Sequence, residues 1–223
     1  MVTLAVFLSG WLRLSDWYVA KGLAVFSLGT ALILRGLIPH HPFASLGPGN
    51  AVTLARGALV VLLAALIGES APGSAAAAAL AASTVCVLDG VDGWLARRSG
   101  MASLFGARFD METDAVLVAV LATLAWQFGK VGAWVLCTGA LRYLYLLAGR
   151  VVPALQRPLP PSRLRKSIAV AQVIALIAAL CPAVSPALAG RLAATALAAL
   201  TLSFLQQTVL VCRDPSISVR VTA

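Results

Sequence analysis

Six long apolar runs separated by turn-forming residues limit the folds open to this chain. They lie near residues 51–68, 75–95, 110–128, 131–149, 167–184 and 188–211. About 20 apolar residues are needed to cross a bilayer as a helix. A soluble helical bundle would need polar stripes of period 3.6, and most of these runs have none. The sequence therefore predicts an all-α integral membrane protein with a core of six transmembrane helices.

The first 47 residues form a further apolar segment ahead of this core. Residues 22–38 are long enough for a short or tilted span. An interfacial helix with Trp11, Trp17 and Tyr18 at headgroup depth fits equally well. The predicted organisation is an N-terminal apolar helical segment, a six-helix membrane domain and a cytoplasmic tail, over residues 1–47, 48–212 and 213–223.

Acidic residues are scarce in this sequence and concentrated in one place. Charged residues make up only 11% of the chain, whereas hydrophobic residues make up 61%. Five of the eight acidic residues lie close together: Asp89, Asp92, Asp110, Glu112 and Asp114. Four ionised aspartates without partners would oppose membrane insertion by roughly 10 kcal/mol if their individual costs added. Because the neighbouring sequence offers too few cations in suitable positions, the cluster predicts a divalent metal site.

The spacing of these residues supports a shared site on two helices. If the run 75–95 is helical, one helix face carries positions i, i+3, i+4 and i+7, which are Asp89, Asp92, Gly93 and Ala96. Asp110 and Asp114 share a face of the next helix. Carboxylate oxygens suit hard cations such as Mg²⁺ or Mn²⁺. The small Gly93 and Ala96 leave a groove for a ligand, and Arg97 is placed to meet a phosphate.

These residues also carry a resemblance to a known family. The run Asp89-x-x-Asp92-Gly93-x-x-Ala96-Arg97, followed after eight residues by Gly106-x-x-x-Asp110-x-x-x-Asp114, resembles the signature of the CDP-alcohol phosphotransferases at every fixed position. Upstream, Asn50, Thr53 and Arg56 match a pattern with which family members often open their first core helix, although Gly49 replaces the usual proline. The resemblance covers roughly residues 48–212.

The resemblance implies a membrane phosphotransferase of phospholipid biosynthesis. The donor would be a CDP-linked lipid, usually CDP-diacylglycerol, the acceptor an alcohol, and the released product CMP. Two ions of Mg²⁺ or Mn²⁺ and a homodimer are further expectations. The implied metal ligands are Asp89, Asp92, Asp110 and Asp114, and Asp114 is also the implied general base. The implied nucleotide-binding residues are Asp89, Gly93, Ala96, Arg97, Asn50 and Thr53.

Basic residues later in the chain suggest what the acceptor carries. They are Arg142, Arg150, Arg163, Arg165 and Lys166. Such a group would suit a phosphorylated acceptor, for which glycerol 3-phosphate or another polyol phosphate is the expectation. The alternative is that these charges only set the orientation of the helices in the membrane.

The distribution of basic residues also predicts the orientation of the chain. The formal net charge is +9, but aromatic residues are few and the basic residues do not lie on one amphipathic face. A nucleic-acid partner is therefore not expected. The basic residues cluster in alternate loops, which the positive-inside rule places in the cytoplasm. The prediction is a multi-pass protein of the cell (inner or plasma) membrane, with its active site facing the cytoplasm.

Two other readings of the acidic cluster stay open at this point. Helix caps and ion pairs with Arg97, Arg98 and Arg108 would explain one or two of the acids rather than four at matched spacing. A divalent-cation transporter or channel would explain the acids and the spans. It would leave Gly93, Ala96 and Arg97 unexplained.

Overall fold

The fold is built from helices throughout the part of the chain that the computed structural model describes, which is residues 1–40, 43, 45–152 and 162–213. The helices are α1 (Val2–Leu12), α2 (Trp17–His40), α3 (Pro48–Ala65), α4 (Ser74–Arg98), α5 (Leu104–Gln127), α6 (Leu136–Val151), α7 (Arg163–Leu180) and α8 (Pro186–Arg213). A short 3-10 helix, Ala133–Val135, precedes α6. No strand occurs among these residues, so the all-α prediction is confirmed.

Local sequence signals explain where the core helices begin. Helix α3 starts at Pro48, whose missing N–H is no loss in the first turn. Helix α5 starts six residues earlier than the apolar run at 110–128 suggested. Its cap is Ser103, whose hydroxyl oxygen accepts a hydrogen bond from the backbone N–H of Gly106 at 3.0 Å. Asp110 therefore lies inside α5 and does not cap it, which removes one alternative for that residue.

Within the described part of the chain, four helices are long and apolar enough to cross a membrane: Trp17–Arg35, Pro48–Ala65, Ser74–Arg98 and Pro186–Val211. Three of them belong to the predicted six-helix core and one to the N-terminal segment. The other core helices are α6, which has 16 residues, and α5 and α7, which carry more charge near their first turns. The membrane character is thus supported, whereas the count of six spans is not confirmed.

Helix α3 lies at the centre of the bundle, in contact with α2, α4 and α5, and α7 pairs closely with α8. The core between these helices is aliphatic. Its fully buried side chains include Leu63, Val85, Leu121, Leu124, Leu176 and Leu180. This arrangement leaves the first turns of α3 and α5 next to the last turns of α4.

The N-terminal helices attach to the core at the opposite end of the bundle. Glu69, in the loop after α3, accepts hydrogen bonds from the Lys21 Nζ (2.6 Å) and from the Ser15 backbone N–H (2.9 Å). Burial raises the pKa of Glu69, but the hydrogen bonds from Lys21 and Ser15 outweigh it and hold the pKa below its usual 4.5. Tyr18 is 1% exposed and donates a hydrogen bond to the Leu62 carbonyl. Tyr18 therefore packs into the protein core, and its depth in the membrane stays a prediction.

Candidate active site

The acidic residues of α4 and α5 do meet in one site. Carboxylate oxygens of Asp89, Asp92 and Asp110 all lie within 4.8 Å of one another. Asp114 lies one turn further along α5, facing the same space. Asp92 is buried, while the other three side chains are 35–45% exposed. The predicted convergence of two carboxylates from each helix is what the structure contains.

A single guanidinium from α3 holds the cluster together. Arg56 Nη1 lies 2.5 Å from Asp92 Oδ2 and 2.6 Å from Asp110 Oδ1. Arg56 Nη2 lies 2.7 Å from Asp89 Oδ1 and 2.5 Å from Asp114 Oδ1. Only 1% of the Arg56 side chain is exposed. One cation therefore faces the four aspartates, and it comes from α3 rather than from the sequence next to the cluster.

Arg56 belongs to the family pattern in the sequence, but that pattern alone does not assign it a role in the site. A signal was available, because an arginine in the middle of the apolar run 51–68 is costly in a membrane unless it is paired. The sequence could not reveal that its partners lie 33 to 58 positions away. One positive charge against four carboxylates still leaves the cluster with a formal excess of three negative charges, so its need for further cations remains.

The alternative ion pairs with Arg97, Arg98 and Arg108, which lie at the end of α4 and in the first turns of α5, are absent from the described part of the chain. Arg98 lies over the ring of Trp94, with its guanidinium carbon 5.0 Å from the ring centre. No ion pair within 4 Å joins Arg97, Arg98 or Arg108 to the aspartates among the described residues. The cap-and-ion-pair explanation of the cluster is left without its proposed partners.

Thr53 and Asn50 are buried residues of α3 that lie next to the site but do not line the cavity. The Thr53 hydroxyl donates to Asp92 Oδ2 at 3.1 Å and lies 3.2 Å from the Gly49 carbonyl oxygen. Asn50 Nδ2 donates to the Leu46 carbonyl at 2.7 Å. Both side chains are buried, and neither is among the described residues that line the cavity in front of the cluster. In this structure they order Asp92 and the start of α3.

The small residues of the motif permit close contacts. A methyl group built on Gly49 would lie 2.8 Å from the Ala96 Cβ, so Ala96 is where α3 and α4 touch. A methyl group on Gly93 would meet the Arg97 Nη1 at 3.2 Å. The surface above Gly93 is therefore covered by the movable end of the Arg97 side chain. Gly93 and Arg97 line the cavity, whereas Ala96 serves the helix contact.

A cavity of about 410 Å³ opens in front of the aspartates. Its volume lies within the usual range for small-molecule sites. It is lined by the four aspartates, Arg56, Gly93 and Arg97, by further residues of α5, and by residues of α6, α7 and α8. Of the predicted acceptor residues, Arg142 and Lys166 line this cavity.

The remaining predicted acceptor residues lie elsewhere. Arg150, Arg163 and Arg165 are not among the described residues that line the cavity, and Arg150 and Arg163 are exposed. Arg142 Nη2 is 2.5 Å from Glu112 Oε1, which links α6 to α5 beside the cluster. The stretch from 153 to 161, in the predicted basic loop, and the tail after residue 213 lie outside the described residues.

Comparison with known proteins decides the family. A family model described as CDP-alcohol phosphatidyltransferase matches residues 48–207. The chain belongs to this family. The match begins at the first residue of α3, ends within α8 and contains every residue of the cavity and the cluster. No solved structure matches the chain.

Membership of the CDP-alcohol phosphatidyltransferases makes this chain a membrane-associated transferase. The family uses a CDP-alcohol donor and an alcohol acceptor and is generally dependent on divalent metal, which agrees with the acidic group in the structure. The family match gives no support to the transporter alternative. Helices α1 and α2 lie outside the matched region.

Proposed function

We propose that this protein transfers a phosphatidyl group from CDP-diacylglycerol to an alcohol, releasing CMP, in phospholipid biosynthesis at the cell membrane. The observation that carries the proposal is the cluster of four aspartates at the mouth of a cavity whose rim also bears Arg97 and Lys166. A lipid donor explains why such a site is built at one end of apolar helices. The acyl chains stay in the bilayer while the diphosphate reaches the cluster.

The donor atoms at the cluster fit a magnesium or manganese site. Asp89, Asp92 and Asp110 offer only carboxylate oxygens within 4.8 Å of one another, which suits hard cations. These three would hold the metal, and Asp114 would complete a site for two ions. Bound metal supplies positive charge that makes the donor diphosphate open to attack.

Side chains of the protein bind the donor, position the carboxylates and accept the proton. Arg97 binds a phosphate of the donor, and Arg56 holds the four carboxylates in position. Asp114 accepts the proton from the hydroxyl of the acceptor. The acceptor oxygen forms a bond to the phosphorus that carries the diacylglycerol, and the bond from that phosphorus to CMP breaks. CMP leaves with the electron pair of that bond.

The acceptor we propose is a polyol phosphate such as glycerol 3-phosphate. Lys166 and Arg142 bring positive charge to the lining of the same cavity, and this charge would bind the phosphate of the acceptor. Arg150, Arg163 and Arg165, near the same end of the bundle, would attract this anion from the cytoplasm. A homodimer is part of the proposal on the family resemblance alone.

The test is a reconstitution of the purified protein in liposomes with CDP-diacylglycerol, Mg²⁺ and a panel of acceptors. The panel contains glycerol 3-phosphate, inositol phosphate, serine and glycerol, and both CMP and the lipid product are measured. We expect CMP release that requires metal and is greatest with glycerol 3-phosphate. Release with serine or glycerol but with neither phosphate would refute the proposed acceptor class. Absence of CMP release with every acceptor would refute the transferase itself.

A further inference from the structure

The cavity contains two buried polar side chains that the proposed chemistry has not used. Gln172 of α7 is 1% exposed, and neither its amide oxygen nor its amide nitrogen has a hydrogen-bond partner in the described structure. Thr138 of α6 is 2% exposed, and its hydroxyl likewise has no partner there. Both residues line the same cavity as Asp114 and Lys166.

Such groups are unusual in a folded protein. The large majority of buried side-chain polar atoms have a hydrogen-bond partner, because burial without one costs free energy. The lining of the cavity also includes apolar residues such as Val173, Val118 and Leu200, and a leucine at position 172 would bring no unpaired polar atom into it. The polar atoms of Gln172 and Thr138 therefore point to a ligand rather than to packing.

The chemistry of the two side chains limits what that ligand group is. A primary amide offers two donors and an acceptor, and a threonine hydroxyl offers one donor and acceptor lone pairs. An ester carbonyl or a phosphate oxygen only accepts, so it would leave the Gln172 carbonyl oxygen without a donor. A neutral hydroxyl both donates and accepts, so it meets the requirements of each side chain.

We propose that Gln172 and Thr138 bind a second, non-reacting hydroxyl of the acceptor, so that the enzyme selects alcohols bearing at least two hydroxyl groups. This inference rests on the proposed function. The reacting hydroxyl meets Asp114, the phosphate meets Lys166 and Arg142, and the second hydroxyl meets the Gln172–Thr138 pair. Substrate selection then depends on three contacts in one cavity.

The test compares two acceptors that differ by this hydroxyl. Glycerol 3-phosphate has it, and 3-hydroxypropyl phosphate lacks it but keeps the reacting hydroxyl and the phosphate. We expect the wild-type protein to prefer glycerol 3-phosphate by about tenfold or more in kcat/KM, because the analogue leaves the buried pair without a partner. Equal kcat/KM values for the two acceptors would overturn the inference.

Variants of the pair locate the preference. Gln172→Leu and Thr138→Val should lose most of the preference for glycerol 3-phosphate, because they slow the reaction of that acceptor alone. Thr138→Ser keeps the hydroxyl and should keep the preference. Gln206→Leu and Thr195→Val are matched controls, because both residues are exposed on α8. A variant of the pair that slows both acceptors equally indicates a merely structural role and contradicts the proposal.

A measurement without turnover separates this inference from the proposed function. Gln172→Leu removes an unpartnered buried amide, so the ligand-free variant should melt at a higher temperature than the wild type and the Gln206→Leu control. A lower melting temperature would show that the amide is needed by the fold, which defeats the inference. If the wild-type protein released no CMP with any acceptor, the proposed function would fail. The melting temperatures would still show whether the fold needs the Gln172 amide.

Discussion

Arg56 illustrates how much one residue organises in this protein. Its two terminal nitrogens reach four carboxylates from two helices at 2.5–2.7 Å. A planar guanidinium has several donors in a fixed arrangement, whereas a lysine offers one compact charge on a flexible stem. Arg56 therefore acts in two ways, as a counter-charge and as a template for the spacing of the aspartates.

Removing this guanidinium should destabilise the bundle. Arg56→Gln leaves four carboxylates facing one another, and breaking a buried ion pair from one side costs about 3–5 kcal/mol. We expect Arg56→Gln to have a lower melting temperature than the wild type in detergent, and Mg²⁺ should restore part of the difference. Arg56→Lys should regain much of the stability that Arg56→Gln loses but less of its activity. Arg98→Gln is the control, because Arg98 is exposed and stacks on Trp94. An Arg56→Gln protein as stable as wild type without metal would contradict the role given to Arg56.

Asp114 is distinguished from the other aspartates by its place outside the group of three that lie within 4.8 Å. If it acts mainly as the base, Asp114→Asn should keep its affinity for CDP-diacylglycerol and lose turnover by about 10²–10⁴-fold. Titration with the donor at several Mg²⁺ concentrations measures this, with Asp16→Asn, an exposed aspartate, as the control. A donor affinity that collapses and recovers at high Mg²⁺ would make Asp114 a metal ligand first.

At the scale of elements, the contact between α3 and α4 sets the position of the site. Helix α3 carries Arg56 and Thr53, and α4 carries Asp89 and Asp92. The two helices approach closely at Gly49, where there is no room for another carbon atom beside Ala96. The spacing between these helices thus determines the distances within the cluster.

Adding one methyl group at this contact should disturb the site. Gly49→Ala places its Cβ 2.8 Å from the Ala96 Cβ and 3.1 Å from Ala96 backbone atoms, and such overpacking costs about 1–3 kcal/mol. We expect a lower melting temperature and reduced turnover. Gly57→Ala is the matched control on α3, because nothing lies within 4 Å of its added carbon. Similar losses in both variants would mean that helix composition rather than the α3–α4 contact is responsible.

The attachment of the N-terminal helices should depend on pH through Glu69. Its pKa is held below the usual value, so the carboxylate stabilises the fold at pH values above that value and the contribution is lost as pH falls below about 4.5. Glu69→Gln should have a lower melting temperature than the wild type at pH 7. The difference between the two melting temperatures should become smaller as the pH falls below about 4.5. Melting curves of both proteins between pH 7 and pH 3 measure the effect. A gap that stays constant with pH would remove Glu69 from this role.

The whole molecule has two chemically different ends. One end carries the aspartates, the cavity and three arginines at the end of α4 and the start of α5: Arg97, Arg98 and Arg108. The other end is fastened by neutral contacts and the Glu69 network, and Lys130 Nζ there donates to the carbonyls of Cys181 and Val184. From the positive-inside rule we predict that the first end faces the cytoplasm.

Cysteine labelling tests this orientation. In a protein without its four native cysteines, Ala102→Cys and Ala183→Cys place thiols at exposed positions in the loops before α5 and α8. An impermeant maleimide should label position 183 in intact cells and position 102 only in inverted vesicles. The reverse pattern would place the active site outside the cytoplasm, and labelling of both positions from one side would contradict an odd number of spans between them.

By itself the sequence determined the helical membrane character, the family and the two faces that carry the aspartates. Apolar runs of span length and carboxylates at helical spacing are local patterns, and they hold whatever the packing between helices. The same reasoning indicated Arg97, because it lies one helical turn beyond Gly93. The start of α5 was misplaced, since the Ser103 cap lies in a stretch without apolar periodicity.

Only the tertiary structure decided which residues meet across helices. The pairing of Arg56 with four aspartates, the contact of Gly49 with Ala96 and the burial of Tyr18 join positions far apart in the chain. The same is true of the cavity, which takes Lys166 and Gln172 but not Arg150 or Arg163. The periodicity of a helix tells which of its faces a residue occupies. Which other helix packs against that face depends on how the side chains of the two helices fit together.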